Sequence, residues 1–325
     1  MGHAIGRVST AATLLLATVY LLQADDMRQT VVAVVAPAPA VSLPISPIVV
    51  AQADTGGREY FIRRSRVVPL GAPSVSLPIL MYHYVRRPPS RRSDMLGFKL
   101  SVAPEDFQKQ MDWLHASGFH TVTFHQLRAY FSGAEALPSR PIVITVDDGY
   151  RDLYTTAFPI LQAHGFTAVA YIVTGFVDRA EYVTRAQLIE MDRGGIEIAS
   201  HTVSHADLSR TSFGSTMAEV VQSKQWLEHL LGHSVVDFAY PSGKFTSQTI
   251  QALRQAGYDT AVTTRTSIGH SVLDRYEWGR VRVGGGESMQ EFMDNLGGSM
   301  PSVPIVNVDV EPLAVYPEHH YRQDA

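Results

Sequence analysis

Two aspartates, Asp147 and Asp148, stand side by side directly after the apolar run PIVITV at 141–146, and Gly149-Tyr150 follows them. Two histidines, His201 and His205, lie just past the run EIAS at 197–200. A turn segment, Pro241-Ser242-Gly243, follows VVDFAY at 235–240, and His83 follows ILMY. Two histidines with one carboxylate make a common open metal site, with coordination positions left for water and substrate. Histidines at i and i+4 can share one face and so one cation. Adjacent aspartates can divide the labour, because neighbours at a strand end point to different sides: one ligates, the other faces the bound water as base. The chain has no cysteine, which excludes thiolate sites, disulfides and a cysteine nucleophile. Any metal here rests on His, Asp or Glu. A metalloprotease of the HExxH type is excluded because that helix motif is absent.

Each of these four segments ends a strand signal, and helix signals alternate with them. A helix is expected near 104–117, where Pro104 suits the first turn, Phe107, Met111 and Leu114 share a face, and Gly118 can end it. Further helices are expected at 152–164, from Thr184 to near Gly194 with the Thr184/Gln187 capping box, at about 214–231, at 247–256 and at 288–295. Strands are expected at 78–82, 141–146, 167–173, 197–200, 235–240, 260–264 and 280–283. Apolar strands alternating with amphipathic helices imply a parallel sheet covered by helices. About seven such units predict a closed or nearly closed α/β barrel, which would gather the reactive groups on the rim at the carboxyl ends of its strands. A doubly wound open sheet is the alternative.

The 325 residues, 45% of them apolar, suffice for one catalytic domain with tails. The formal net charge of -4 gives nucleic-acid binding no whole-chain electrostatic support. Arg7 and the apolar run Val8 to Leu22, broken by Gln23, Asp25 and Asp26, match a signal-peptide core or a short membrane anchor. We expect residues 1–24 to be that segment, 25–76 a proline-rich linker, 77–296 the catalytic domain and 297–325 a tail carrying His319 and His320. An exported protein is implied, in the periplasm, at the cell surface or secreted, with membrane contact only through the N-terminal segment.

TVDDGY, SHTVSH and FAYPSG resemble the first three motifs of the polysaccharide deacetylase family, the NodB-homology carbohydrate esterases, over residues 77–295. ILMYHYV and APEDFQKQMDWLHASGFHTVTFHQL resemble the subgroup acting on poly-N-acetylglucosamine of biofilm matrix. The resemblance implies a distorted (β/α) barrel and one divalent ion, usually zinc, held by Asp148, His201 and His205. It implies Asp147 as base, the Ser242 backbone N–H as oxyanion donor, and Tyr150, Tyr240 and Pro241 as substrate contacts. Most members place the acid histidine in a leucine-rich C-terminal motif that this chain lacks; the subgroup's N-terminal histidine matches His83. Val146 stands where the family has phenylalanine, and the third motif lacks its arginine, a charge that Arg280 or Arg282 is expected to supply. Asp274 and Trp278 resemble the fourth motif.

The implied substrate is an N-acetylated amino-sugar polysaccharide, poly-N-acetylglucosamine or a similar exopolysaccharide, with chitin oligomers and peptidoglycan as alternatives. Two rivals come from other classes. A non-haem iron oxygenase also uses two histidines and a carboxylate, but a second adjacent aspartate does not belong to that site. A non-catalytic glycan-binding or assembly protein on the same fold would be marked by loss of a ligand, and Asp147, Asp148, His201 and His205 are all present.

Overall fold

The computed structural model describes residues 73–296, so the N-terminal segment 1–24, nearly all of the linker 25–76, and the tail with His319 and His320 lie outside the described residues. The strands in chain order are β1 (Ser74–Ser76), β2 (Ile79–Tyr82), β3 (Tyr84–Val85), β4 (Ser101–Val102), β5 (His120–Thr121) and β6 (Pro141–Val146). They continue with β7 (Val169–Ile172), β8 (Glu197–Ser200), β9 (Asp237–Ala239), β10 (Thr260–Val262), β11 (Gly269–Ser271) and β12 (Val281–Arg282). Seven of them form one sheet in the order β10-β9-β8-β7-β6-β2-β12, parallel at every pairing, and β5 adds to β6. The sheet curls into a half-barrel.

The run into β12 spans the gap between the end strands. Trp278 N–H donates to Ala261 O at 3.1 Å, and Thr263 N–H donates to Trp278 O at 2.8 Å, so this run lies along β10. Three residues later Val281 stands opposite Leu80 of β2. One short stretch therefore ties both edges together.

Strand alternation sorts the side chains into two layers. Leu80 and Tyr82, Ile142, Ile144 and Val146, Ala170 and Ile172, and Ile198 pack in one cluster with Phe107, Met111 and Leu114 of the helix Pro104–Ala116 and with Leu188, Met191 and Leu227 of two further helices. The opposite set, Ile79, Val143, Val169, Tyr171, Ala199, Ala239 and Val262, lines the barrel interior. The helix Phe124–Phe131 plugs the end where the strands begin: Phe124, Leu127 and Phe131 join the interior cluster, Phe124 N–H donates to Glu197 Oε2 at 2.8 Å, and Arg128 pairs with Asp237.

The expected helices are present at Pro104–Ala116, Arg185–Arg193, Phe213–Leu231, Ser247–Gln255 and Met289–Asn295, with the Thr184/Gln187 capping box formed. The stretch expected as one helix from 152 begins instead as a π turn, Leu153–Ala157, before the α-helix Phe158–Ala163. Pro159 has no N–H for the carbonyl four residues back, and the wider turn precedes it. The last residues of the stretch read as linker form β1, which pairs antiparallel with β11. The helices Met95–Leu100 and Phe124–Phe131 were not expected, because neither shows a long apolar period.

Trp278, 1% exposed, stacks near Phe124 and Phe131 and donates its indole N–H to Ser271 O at 2.9 Å. Its truncation leaves a large void at the seam. Trp278→Ala is expected to lower the unfolding free energy by about 3–5 kcal/mol, measured by urea denaturation of the purified protein.

Candidate active site

The alternation that fills the barrel also aims its rim. Val143 and Thr145 carry the inward parity of β6, and Asp147 continues it. Ile79 and Met81 set the same parity for His83, Ala199 for His201, and the outward Val281 sets it for Arg280 and Arg282. The result is a cluster at the carboxyl ends of the strands. His83 Nε2 lies 3.9 Å from Asp147 Oδ2. Nε2 of His201 and Nε2 of His205 each lie 3.4 Å from Asp148 Oδ1.

Asp148 has the outward parity and reaches the cluster through its backbone. Its φ is 74°, and φ is likewise positive at Thr202 (69°), His205 (60°) and Ser242 (54°). Among the described residues these make four of the six non-glycine residues in the left-handed region. Such conformations cost of order 1–3 kcal/mol each and persist where the surroundings impose them. His201 and His205 thus meet through a loop turned by Thr202, whose Oγ1 accepts from His205 N–H at 2.9 Å, and not along one helical face. Beside Ser242, Gly243 has φ 68° and its α-carbon faces Thr264: a Cβ there would stand 2.2 Å from Thr264 Oγ1.

Arg280 is fully buried and holds Asp147 with a two-pronged grip. Nη1 donates to Oδ1 and Nη2 to Oδ2, each at 2.7 Å. Nη1 also donates to Thr145 Oγ1 at 2.9 Å and Nε to Thr263 O at 2.9 Å. Burial alone would raise the Asp147 carboxyl, but the guanidinium overrides it and holds the group well below the usual carboxylate range. Burial also lowers the His83 imidazole, against the opposing pull of Asp147 and Asp148. Its Nδ1 is buried without a hydrogen-bond partner.

Asp148, His201 and His205 fit a single cation. Their ligand atoms lie within 4.8 Å of one another, and Asp148 Oδ1 is buried with no hydrogen-bond donor, an arrangement that a cation would satisfy. Two ligands about 2.1 Å from one ion at the tetrahedral angle stand about 3.4 Å apart, the separation between Asp148 Oδ1 and each histidine nitrogen. His201 Nδ1 is 2.7 Å from Ala239 O, so that nitrogen carries the proton and Nε2 is left as a donor to metal.

The cluster therefore gathers Asp147, Asp148, His83, His201, His205 and Arg280, and the turn of Pro241 and Ser242 follows β9 on the same rim. Of the two arginines offered for Asp147, Arg280 makes the grip, while Arg282 is exposed at the end of β12. Tyr240 departs from expectation. It has the outward parity of Phe238, is fully buried with Phe238 and Tyr258, and donates its hydroxyl to Tyr276 O at 3.0 Å, so its ring cannot face a polymer. Pro241 is buried beside it. Tyr150 is partly exposed and lies between Tyr84, stacked at 3.6 Å between ring centroids, and Tyr182 at 5.1 Å.

Sequence reading missed Tyr84 and Tyr182, and also Thr145, whose hydroxyl interrupts an otherwise apolar strand and was a visible signal. His270 sits away from this rim: its Nε2 is 3.0 Å from Leu77 O, before β2 begins.

A family model described as polysaccharide deacetylase matches residues 134–261. The chain is 30% identical over 216 residues to YxkH of Bacillus subtilis (strain 168), a polysaccharide deacetylase by name, spanning 66% of this chain and 74% of that one. The chain belongs to the polysaccharide deacetylase family. Family members are hydrolytic deacetylases, and this chain is an enzyme of that kind. It is also 26% identical over 271 residues to the poly-beta-1,6-N-acetyl-D-glucosamine N-deacetylase of Escherichia coli (strain K12), covering 69% of this chain but only 40% of that longer protein. Among solved structures, the Streptococcus pyogenes deacetylase PplD in complex with acetate superposes with a TM-score of 0.64 at 26% identity, over 69% of this chain and 99% of that one. The half-barrel is thus the architecture of the family's solved deacetylases.

Removing the grip on Asp147 leaves a buried carboxylate without its counter-charge. Arg280→Gln is expected to lose about 3–5 kcal/mol of unfolding free energy, read by chemical denaturation. Arg280→Lys is expected to recover part of the stability but little activity, because an ammonium cannot reproduce the planar fork.

Proposed function

We propose that the chain hydrolyses N-acetyl groups from an amino-sugar polysaccharide, poly-N-acetylglucosamine or a similar exopolysaccharide, and does so with one divalent ion. Asp148, His201 and His205 would hold the ion, and their nitrogen and oxygen donors in a chain without cysteine favour zinc. The observation that carries this reading is the split between the adjacent aspartates: Asp148 faces two histidines, while Asp147 is held ionised beside a third.

A bound divalent ion supplies a water acidic enough to ionise near neutral pH and a Lewis acid for the acetamide carbonyl. Asp147 takes the water proton as the oxygen attacks the carbonyl carbon. The Arg280 fork weakens Asp147 as a base but keeps it deprotonated and fixed in direction, so its effect is chiefly positional. The Ser242 backbone N–H donates to the developing oxyanion, a contact commonly worth about 3 kcal/mol.

Burial lowers the proton affinity of the His83 imidazole, which favours its neutral form. It therefore needs a proton before it can give one, and the proton captured by Asp147, whose Oδ2 is 3.9 Å away, is within reach after a small closure. His83 passes it to the nitrogen as the carbon–nitrogen bond breaks; otherwise an amide anion would have to leave. The products are acetate and a free amino sugar, which is cationic at neutral pH.

The Escherichia coli relative named for poly-beta-1,6-N-acetyl-D-glucosamine supports the polymer class, and the acetate complex of PplD supports the leaving acid. Chitin oligomers and peptidoglycan carry the same N-acetyl group, so they belong in the test. The apolar run Val8 to Leu22 supports export, which an extracellular polymer requires. Among the described residues no helix is long and apolar enough to cross a membrane.

The direct test is acetate release by the metal-loaded protein from poly-N-acetylglucosamine, chitin oligomers and peptidoglycan. Chelation should abolish release, and His201→Ala should lose stoichiometric zinc; tight zinc binding by that variant would contradict the ligand set. His83→Ala should slow amide hydrolysis by about 10²–10⁴-fold with metal content intact, and by less on an aryl acetate, whose leaving group needs no proton. Equal losses on both substrates would make His83 structural. A reporter fused after residue 76 should be active outside the cytoplasm, and purely cytosolic full-length protein would rule out export.

A further inference from the structure

Between Arg86 and Lys99 the chain carries Arg86, Arg87, Arg91, Arg92 and Lys99 against one acid, Asp94, although its formal net charge is -4. This segment sits on the catalytic rim. It leaves β2 just after His83 and β3, and the Arg86 guanidinium lies 3.5 Å from the centroid of Tyr84, the ring stacked on Tyr150. Its helix, Met95–Leu100, packs against the glycines that follow β12: a Cβ on Gly284 would stand 2.2 Å from Lys99 O, and one on Gly285 1.9 Å from Phe98 O. The end of β12 adds Arg282, exposed and in register with Met81 of β2, two residues before His83.

Arg86 Nε donates to Ser101 Oγ at 3.3 Å and the Arg91 guanidinium lies 4.5 Å from the centroid of Phe98, contacts that place these side chains without neutralising their charge. Arg87, Arg91, Arg92 and Lys99 are exposed. Among the described residues, none of the five arginines sits in an ion pair with a carboxylate. The acids nearby are engaged elsewhere. Asp94 accepts from Gly97 N–H at 2.7 Å and Glu287 accepts from Asn295 Nδ2 at 2.7 Å, while Asp152 feels the charge of Arg86 without forming an ion pair with it. A solvated stripe of arginine is ordinary on a protein surface. Here it borders the reacting centre of an enzyme whose product is cationic, where a neutral polymer gains nothing from it and the deacetylated product is repelled.

We propose that this arginine arm and Arg282 select a polymer that carries anionic groups, carboxylate or phosphate, beside its N-acetyl groups. The inference rests on the deacetylase reading above and, within its class of N-acetylated amino-sugar polysaccharides, favours an anionic member over neutral poly-N-acetylglucosamine. Guanidinium groups match carboxylate and phosphate oxygens in bidentate fashion, and the partly exposed Tyr84–Tyr150 stack beside the arm offers an apolar edge to a sugar ring. The arm's place on the catalytic rim favours the substrate over a lipid surface as its partner.

The test uses the full, metal-loaded chain and measures acetate release from three size-matched polymers: neutral β-linked N-acetylglucosamine, an alternating glucuronate–N-acetylglucosamine polymer, and a phosphodiester-linked N-acetylglucosamine polymer. At low salt kcat/KM should favour an anionic polymer by about tenfold, and the preference should shrink as salt is raised. The anionic polymer with the larger preference identifies the group recognised. In the triple variant Arg87→Gln, Arg91→Gln, Arg92→Gln the ratio of anionic to neutral rates should fall toward one, chiefly through KM. A ratio near one in the wild type, or a ratio unmoved in the variant, would overturn the inference and leave the deacetylase reading standing. So would binding of vesicles of anionic lipid without any preference among polymers, which would assign the arm to a membrane. Failure to release acetate from any of the three would overturn the deacetylase reading itself.

Discussion

The pairing of Arg280 with Asp147 joins the architecture of this protein to its chemistry. Arg280 belongs to the short run that lies along β10 and then along β2, so its main chain closes the curled sheet while its guanidinium enters the interior. Both partners are almost wholly removed from water, with side-chain exposures of 0% and 3%. Such a pair is costly to assemble and needs further hydrogen bonds to offset its burial. Here two further donors reach Thr145 Oγ1 and Thr263 O. A carboxylate fixed in this way cannot turn toward the metal ligands, and the task of ligation falls to its neighbour Asp148.

That division depends on a change in backbone hand. Asp147 continues the inward parity of its strand, and Asp148 would point outward if the strand went on. The left-handed turn at Asp148 brings the second carboxylate back over the rim to meet two histidines that a similar turn at Thr202 has gathered. Interior packing, set by the alternation of small and branched residues, thus decides where the reactive groups stand, and a few strained torsions supply what alternation cannot.

Much of this was legible in the residues. The strand ends carrying Asp147, His201 and His83, the Thr184/Gln187 capping box and the parallel β/α order all follow from apolar periodicity and turn chemistry. Parity was legible too, and it would have kept the Tyr240 ring from being read as a substrate contact, since Asp237 and Ala239 take the inward positions of that strand. The choice between Arg280 and Arg282 was not, because both share the inward parity and only the depth of the seam decides which one reaches Asp147. The helix Phe124–Phe131 was also illegible: its eight residues are too few for a clear period, and it is stabilised by plugging the barrel and by the contacts of Arg128 with Asp237 and Glu197.

The account turns on Asp147 acting as the fixed base beside, and not within, the metal site. The most direct measurement compares wild type with Asp147→Asn, a change that keeps the shape of the side chain but removes its charge and one acceptor of the Arg280 grip, scoring bound zinc, acetate release from an N-acetylglucosamine polymer and the folded fraction in the same samples. The account predicts one zinc per chain in both proteins and a loss of release of about 10²–10⁴-fold in the variant. A variant that releases acetate at the wild-type rate, or one that fails to retain zinc, would contradict it.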